Sequence, residues 1–160
     1  MEFIETFITF IFYTYISHSH PNFKIMGKSM VPTYNQDAYV LTDKYSVGSS
    51  IRNGEIIVFN YPEKPNLVMV SRVIAIPGDR LTIKKGLVYL NGIRLEETYT
   101  NGTQTEAGKF IEEAEELTIP EGKYFVMGDN RSFSLDSRSF GLINQDSIVS
   151  RVTKCYWNCR

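Results

Sequence analysis

The sequence has few of the residues that hold metals or build disulfide frameworks. Its 160 residues include two cysteines and two histidines. Cys155 and Cys159 form a lone C-x-x-x-C pair, which is a poor metal site without a second set of ligands. We expect two thiols here, and the alternative is a disulfide in an oxidising compartment. His18 and His20 are expected to be solvated loop residues, so the sequence predicts neither a bound metal nor a cofactor.

The charges also lack an excess of one sign. Lys and Arg number 17 and Asp and Glu number 18, which gives a formal net charge of -1 at pH 7. Proteins that bind nucleic acids usually carry a strongly basic surface. We therefore expect no nucleic-acid partner. The length and the hydrophobic content of 42% indicate one globular domain with a core of its own.

No apolar run reaches the roughly 20 residues that a membrane-spanning helix needs. The nearest candidate, FIETFITFIFYTYI at residues 3–16, also lacks the basic start and the cleavage site of a secretory signal. One interpretation is a buried strand or helix of the core. We favour a membrane anchor over residues 1–20, short or truncated at its start, because the run is rich in aromatic residues and stops abruptly at SHSHPN.

Residues 21–160 show the short alternating segments that are typical of β-strands. Two hairpins that share a strand are predicted over residues 81–97, with turns at Lys85-Gly86 and Asn91-Gly92. The stretch 96–121 carries eight glutamates and one lysine, so we expect a mostly solvated excursion with a short helix at 106–116. The predicted fold class is all-β, a barrel, coiled sheet or sandwich-like body. Further strands are predicted at 38–45, 55–61, 67–76, 123–129 and 147–157.

Three segments differ from ordinary strand or turn sequences. GKSMVPT contains Ser29 after Gly27, whose backbone freedom could leave the Ser29 amide able to donate to an oxyanion. SRVIAIPGD at residues 71–79 is an apolar strand that ends in a turn. GDNRSFSLDSRSFG at residues 128–141 is dense in polar side chains that can hydrogen-bond one another. Each segment, taken alone, also fits a structural turn or a solvated loop.

Taken in order, SM-x-PT, RVI-x-x-PGD and GDNR-x-x-S-x-DSR-x-x-G resemble the sequence boxes of type I signal peptidases. The resemblance covers nearly the whole chain from residue 7, and the last box is highly specific. It implies a membrane-anchored serine endopeptidase with a mostly β catalytic domain on the outer face of the membrane. Such enzymes cut the signal peptides of exported preproteins after small residues, in an A-x-A pattern. They use a Ser–Lys pair without metal or cofactor, so the implied partners are signal peptides and membrane lipid.

The resemblance also assigns roles to individual residues. Ser29 matches the nucleophile, and Ser134 matches the serine that orients the lysine. Gly27 matches a position that carries a second oxyanion donor in some members. Asp136 and Arg138 match the structural acid–base pair of the last box. From the residues alone, Asp129 or Arg131 could join this pair. Five residues fall where the family lines shallow pockets for small side chains: Ile25, Met26, Met30, Tyr34 and Met69.

One position departs from the family pattern. The general-base lysine of the family stands directly before RVI-x-x-PGD, and this chain has Ser71 there. Burial lowers the pKa of such a lysine until its neutral amine can accept a proton, and a serine hydroxyl has no comparable basicity. We therefore expect this chain to be a poor catalyst. Three explanations would each account for Ser71: a natural non-catalytic homologue, an engineered variant in which the lysine was removed to trap substrate, or a sequence error at this position.

Other bases and other functions stay open at this point. Lys28 adjoins Ser29, and Lys84 and Lys85 lie in the hairpin that follows the second box, but none of them follows the family pattern. A non-catalytic homologue would bind exported peptides as an assembly or chaperone-like factor. Self-cleaving repressor domains share the Ser–Lys chemistry, yet they carry a DNA-binding helical segment where this chain has its apolar stretch.

Overall fold

A computed structural model describes residues 22–44, 50–100, 102 and 104–160. The predicted anchor over residues 1–20 and both histidines lie outside the described residues. Within the described ranges, no helix has the length and apolar character to cross a bilayer.

This part of the chain is mostly β, as predicted, with one short α-helix, α1 (Ser137–Phe140), and 3-10 turns at Arg131–Phe133 and Gln145–Ser147. The described strands are β1 (Asn22–Lys24), β2 (Tyr39–Lys44), β3 (Ile56–Tyr61), β4 (Lys64–Ala75), β5 (Arg80–Lys84), β6 (Leu87–Leu90), β7 (Ile93–Arg94), β8 (Glu116–Thr118), β9 (Lys123–Met127), β10 (Ile143–Asn144) and β11 (Ile148–Trp157).

Two antiparallel sheets contain these strands. Seven strands form one sheet in the order β1-β2-β11-β3-β4-β9-β10, and the other sheet has the order β7-β6-β5-β8. β1 pairs only with β2 among the described strands. β4 pairs with β3 along most of its length but reaches β9 only through residues 72–75. Both β1 and the first half of β4 therefore have one strand edge without a described partner.

The strands and hairpins that the sequence predicts are confirmed, with bounds that differ by a few residues. Lys85 and Gly86 have φ of 50° and 74°, and Asn91 and Gly92 have φ of 54° and 80°. Positive φ at both central residues is what a type I′ turn requires. The sequence does not reveal β1, β8 and β10, because two or three residues are too few to show an alternating pattern.

Strands β4 and β9 belong to two hydrophobic clusters at once. Ile74 and Phe125 pack with the four-stranded sheet, in a cluster that includes Leu81. Val73 and Val126 pack in the other cluster with residues of β3. Successive side chains of a strand point to opposite faces of the sheet. The centre of the large sheet is therefore buried on both faces, and this packing holds residues 73–75 of β4 and 125–127 of β9 in place.

The acidic stretch 96–121 corrects one expectation and confirms another. No helix forms at 106–116, whereas most of the described residues of the stretch are exposed, as predicted. Thr105, Ile111 and Ile119 are buried, and both isoleucines belong to the cluster beneath the four-stranded sheet. Because these residues are spaced irregularly, neither a helical nor a strand period marks them.

Cys155 and Cys159 form a disulfide, with an S–S distance of 2.12 Å. The expectation of two thiols is therefore wrong. The chain turns back at Asn158, which has a φ of 52°, and this reversal brings Cys159 to Cys155. The Cys159 carbonyl accepts a hydrogen bond from the Asn35 amide (3.2 Å), so the closed loop lies against the segment that precedes β2.

Asp79 fastens the turn that follows β4. Its carboxylate accepts hydrogen bonds from the Ile76 amide (3.0 Å), Asn53 Nδ2 (2.7 Å) and Asn91 Nδ2 (2.8 Å). Burial acts to raise the pKa of Asp79, but these hydrogen bonds outweigh it and hold the pKa below its usual value. The folded state therefore favours the ionised carboxylate.

This depressed pKa predicts an acid-dependent contribution of Asp79 to stability. The contribution is present above the unfolded pKa of about 4 and is lost as the pH falls through the folded pKa. We expect Asp79→Asn to reduce the loss of unfolding free energy below about pH 4, as measured by urea unfolding at a series of pH values. Asp146→Asn, in an exposed turn, is the control. Identical acid profiles for Asp79→Asn and the unaltered chain would contradict the assignment.

Candidate active site

Ser29 lies half-buried in the turn that follows β1. Gly27 has a φ of +102°, a backbone conformation that glycine adopts without strain. The Val31 amide donates to the Lys28 carbonyl (3.2 Å) and closes the turn around Ser29. Within the described part of the chain, no group accepts a hydrogen bond from the Ser29 amide. This amide is therefore available as a donor to an oxyanion.

A groove of about 390 Å³ contains Ser29 in its wall. One wall comes from β1 and the residues that follow it, and the other comes from the first half of β4. The groove is open, since the Met26 side chain is 78% exposed and Leu67 is 51% exposed. The lining residues are Phe23, Lys24, Ile25, Met26, Ser29, Leu67, Val68, Met69 and Val70.

The structure places three of the five predicted pocket residues on this groove: Ile25, Met26 and Met69. Met30 is fully buried, and Tyr34 packs against the cluster that contains Ala38 and Val40. Neither Met30 nor Tyr34 is among the residues that line the groove. The sequence pattern missed five lining residues, which are Phe23, Lys24, Leu67, Val68 and Val70.

The turn around Ser29 is bonded to the polar loop 128–138. The Asn130 amide donates to the Ser29 carbonyl (2.9 Å), and Asn130 Nδ2 donates to the Lys28 carbonyl (3.1 Å). A β-carbon at Gly128 would lie 2.1 Å from Ser134 Oγ and 2.6 Å from the Ser29 carbonyl oxygen. Only glycine therefore fits between them, and the loop brings Ser134 to the turn that carries Ser29. The Ser134 hydroxyl accepts a hydrogen bond from the Gly128 amide (3.1 Å).

Asp136 and Arg138 form a buried ion pair within this loop. Arg138 Nε and Nη2 donate to the two carboxylate oxygens of Asp136, each at 2.8 Å. Asp136 also accepts from the Gly128 amide (3.2 Å), and Arg138 donates to the Arg131 carbonyl (2.7 Å). The pair stabilises the loop conformation through bonds to the backbone of Gly128 and Arg131. Neither residue lines the groove.

Asp129 does not join that pair. Its carboxylate binds Arg72, with Nε–Oδ1 at 2.8 Å and Nη2–Oδ2 at 2.6 Å, and accepts a hydrogen bond from the Thr33 hydroxyl. Thr33, Arg72 and Asp129 come from the three different motif segments. Burial acts to lower the pKa of Arg72, but the bonds and charge of Asp129 outweigh it and raise the pKa above its usual value. The sequence pattern missed Arg72 and Thr33, although both stand inside the motifs.

The acidic stretch closes over these charged groups. Arg131 donates to both carboxylate oxygens of Glu97 and to the Thr105 hydroxyl (2.6 Å). The Tyr99 ring lies 4.0 Å from the Arg72 guanidinium carbon, a cation–π contact. Burial raises the pKa of the Tyr99 hydroxyl above its usual value. The stretch therefore shields the Arg72–Asp129 pair from water, and this long-range contact has no signal in the local sequence.

Ser71 lies on β4 with 1% exposure. It stands on the same face of the strand as the groove residue Met69, because strand side chains alternate. Within the described ranges, no lysine is hydrogen-bonded to Ser71 or Ser29. Lys28 is exposed, and Lys84 and Lys85 are exposed at the turn between β5 and β6 of the other sheet.

Comparison with known proteins gives consistent results. A family model described as signal peptidase, peptidase S26, matches residues 1–157. The chain is 38% identical over 146 residues to a signal peptidase I of Bacillus caldolyticus, covering 85% of this chain and 79% of that protein. It is 35% identical over 149 residues to a signal peptidase IB of Staphylococcus aureus (strain Mu50 / ATCC 700699), covering 84% and 76%. A crystal structure of a signal peptidase I from Enterococcus faecalis V583 matches with a TM-score of 0.56 at 29% identity, covering 66% of this chain and 98% of that chain.

The β-rich fold matches that of a signal peptidase I of known structure. The chain belongs to the signal peptidase I family, peptidase family S26, and the family prediction is confirmed. Members of this family are serine endopeptidases that process signal peptides.

The disulfide loop supports one wall of the groove. The Ile25 amide donates to the Ala38 carbonyl (2.8 Å), and the Asp37 amide donates to the Ile25 carbonyl (2.9 Å). Cys155 packs against the same cluster as Ile25 and Ala38. The loop that Cys155 and Cys159 close is therefore connected, through residues 35–38, to a residue that lines the groove.

Removing this disulfide is expected to lower stability and to loosen the groove wall. Closing so short a loop stabilises a fold by about 2 kcal/mol in the chain-entropy description. We expect the double variant Cys155→Ser/Cys159→Ser to lose about that much unfolding free energy, with faster hydrogen exchange at the Ile25 amide. Exchange at Val73, in the centre of the large sheet, serves as the internal control. Unchanged exchange at Ile25 would show that the loop does not support the groove.

Proposed function

We propose that this chain recognises the signal peptides of exported preproteins, with Ser29 as the nucleophile and the groove between β1 and β4 as the peptide site. The residues before the cut, in an A-x-A pattern, lie extended in the groove. The domain acts on the outer face of the membrane, next to its lipid, and a single-pass anchor within residues 1–20 tethers it. Ser134 and the pair Asp136–Arg138 support the site.

The observation that carries this proposal is a groove bordered by two open strand edges. β1 pairs only with β2 among the described strands, and residues 64–70 of β4 pair only with β3. Such edges present unpaired backbone donors and acceptors, to which an extended peptide can add as a strand. The shallow apolar lining, including Ile25 and Met69, suits small side chains. The Ser29 amide has no acceptor among the described residues, which supports a role for it as the oxyanion donor.

Ser71 favours a second function, in which the chain binds exported peptides without cutting them. The general base of a serine nucleophile contributes about 10²- to 10⁴-fold to the rate, and no lysine in the described ranges is bonded to Ser29. A chain with an intact groove and no base would hold a signal peptide and release it whole. This would make it an assembly or chaperone-like factor.

Peptide binding tests the groove independently of turnover. A labelled peptide with an A-x-A site is titrated, by fluorescence anisotropy in detergent, with the full chain and with Met69→Trp. We expect the tryptophan to fill the groove and weaken binding at least about tenfold, equivalent to about 1.4 kcal/mol. The matched control is Ile93→Trp, at a residue that is 74% exposed on the other sheet.

Equal peptide affinities of Met69→Trp and Ile93→Trp would contradict the assignment of the groove as the peptide site. An affinity that is the same when the two alanines of the A-x-A site become lysines would contradict recognition of small side chains. Product analysis by mass spectrometry, on the same samples and on Ser29→Ala, separates cutting from binding.

A further inference from the structure

Two large apolar side chains are exposed on the polar loop that touches Ser29. Phe133 is 74% exposed and Leu135 is 49% exposed, and they stand on either side of Ser134. The loop around them is firmly held, because Arg131, Asp136 and Arg138 are buried and hydrogen-bonded, and the Phe133 amide donates to the Asn130 carbonyl (3.0 Å). Their exposure is therefore a fixed feature of the surface.

This apolar surface is attached to the nucleophile turn. Asn130 bonds the carbonyls of Lys28 and Ser29, and Gly128 contacts both Ser29 and Ser134. Neither Phe133 nor Leu135 lines the groove, whose walls come from β1 and β4. Ser29 therefore lies where the groove meets the polar loop.

The substrate of an endopeptidase continues past the bond that is cut. If the residues before the cut occupy the groove, those after it must leave Ser29 in another direction. We propose that Phe133 and Leu135 form a docking surface for the first residues of the preprotein that follow the scissile bond, and that this surface favours apolar side chains there. This inference rests on the proposed function of the groove, and its occupant is the continuation of the same peptide.

The physical basis is the contact that the two side chains offer. An aromatic ring gives a large apolar area at a low cost in conformational entropy, and exposed apolar side chains gain most when a partner covers them. The charged side chains of the polar loop offer few other apolar contacts, since Arg131, Asp136 and Arg138 are engaged in ion pairs and hydrogen bonds. Serine or charged residues after the cut would gain nothing from Phe133.

Three peptides with the same A-x-A leader test the proposal on the full chain carrying Ser29→Ala, which cannot form an acyl-enzyme. The first peptide ends at the alanine before the cut, the second continues with two leucines, and the third continues with two serines. We expect the leucine peptide to bind roughly three- to tenfold more tightly than the serine peptide. In Phe133→Ser/Leu135→Ser this advantage is expected to vanish, with the affinity for the leader-only peptide unchanged. Ile93→Ser, another exposed apolar residue, is the matched control.

A second variant keeps the test decisive if Phe133→Ser/Leu135→Ser does not fold. Phe133→Lys is expected to reverse the preference, so that a peptide continuing with two glutamates binds more tightly than the leucine peptide. An advantage for leucine that survives in both variants would overturn the docking surface, although the groove would stand. A parallel loss of leader-only binding in the serine variant would also overturn it, because Phe133 would then shape the groove itself. If the leader-only peptide does not bind the chain that keeps Phe133 and Leu135, the proposed function of the groove is overturned.

Discussion

Ser71→Lys is expected to cleave a preprotein with an A-x-A site about 10²- to 10⁴-fold faster than the unaltered chain. Ser71 is 1% exposed and lies on the same face of β4 as the groove residue Met69. A lysine amine at this position would be desolvated, which lowers its pKa toward neutrality and lets it accept the Ser29 proton. Ser134, held against Gly128 beside the turn that carries Ser29, matches the serine that orients the lysine in the family.

The controls for this variant separate basicity from volume. Ser71→Met introduces a long side chain without an amine and is expected to stay inactive. Ser71→Lys combined with Ser29→Ala should also be inactive. The cleavage rate should rise with pH through the depressed pKa of the lysine, because only the neutral amine acts as a base. A folded Ser71→Lys variant with no gain in rate would exclude the Ser29–residue 71 pair as the catalytic arrangement. High activity of the unaltered chain would show that another group supplies the base.

The parts of the fold that depend on local sequence could be predicted. The hairpin turns at Lys85-Gly86 and Asn91-Gly92 follow from the backbone freedom of glycine and asparagine. The central strands follow from runs of β-branched and aromatic residues, such as 55–61 and 67–76. In both cases the signal and the structure lie within a few residues of each other.

The parts that depend on distant contacts could not be predicted from the pattern. Asp129 pairs with Arg72 across a separation of 57 residues, whereas the sequence suggested the nearby Asp136 and Arg138 as its partners. Met30 adjoins Ser29 but points into the core, because the geometry of the turn, and not proximity along the chain, decides which side chains line the groove. The burial of Thr105, Ile111 and Ile119 within the acidic stretch depends in the same way on partners that no local period encodes.

Removing the charge of Arg72 is expected to cause a large loss of stability. The Asp129 side chain is fully buried and the Arg72 side chain is 11% exposed, so Arg72→Ala would leave a buried carboxylate without its partner. Breaking a buried pair in this way costs about 3–5 kcal/mol. The control is Arg80→Ala, whose pair with Glu116 at 3.6 Å has both side chains more than half exposed. Such exposed pairs contribute at most about 1 kcal/mol. Urea unfolding of both variants measures the difference, and equal losses would contradict the burial argument.

The double variant Arg72→Met/Asp129→Leu distinguishes a stabilising role of this pair from a positioning role. Replacing a buried ion pair by apolar side chains of similar volume is often neutral for stability, so much of the loss in Arg72→Ala should be recovered. The double variant also removes the hydrogen bond of Thr33 to Asp129, so the turn that carries Ser29 would lose its link to β4 through Asp129 and Arg72. We therefore expect recovered stability with weakened peptide binding. Full recovery of both would mean that the pair only stabilises the fold, since the Ser29 turn would then keep its position without the charges that join the three motifs.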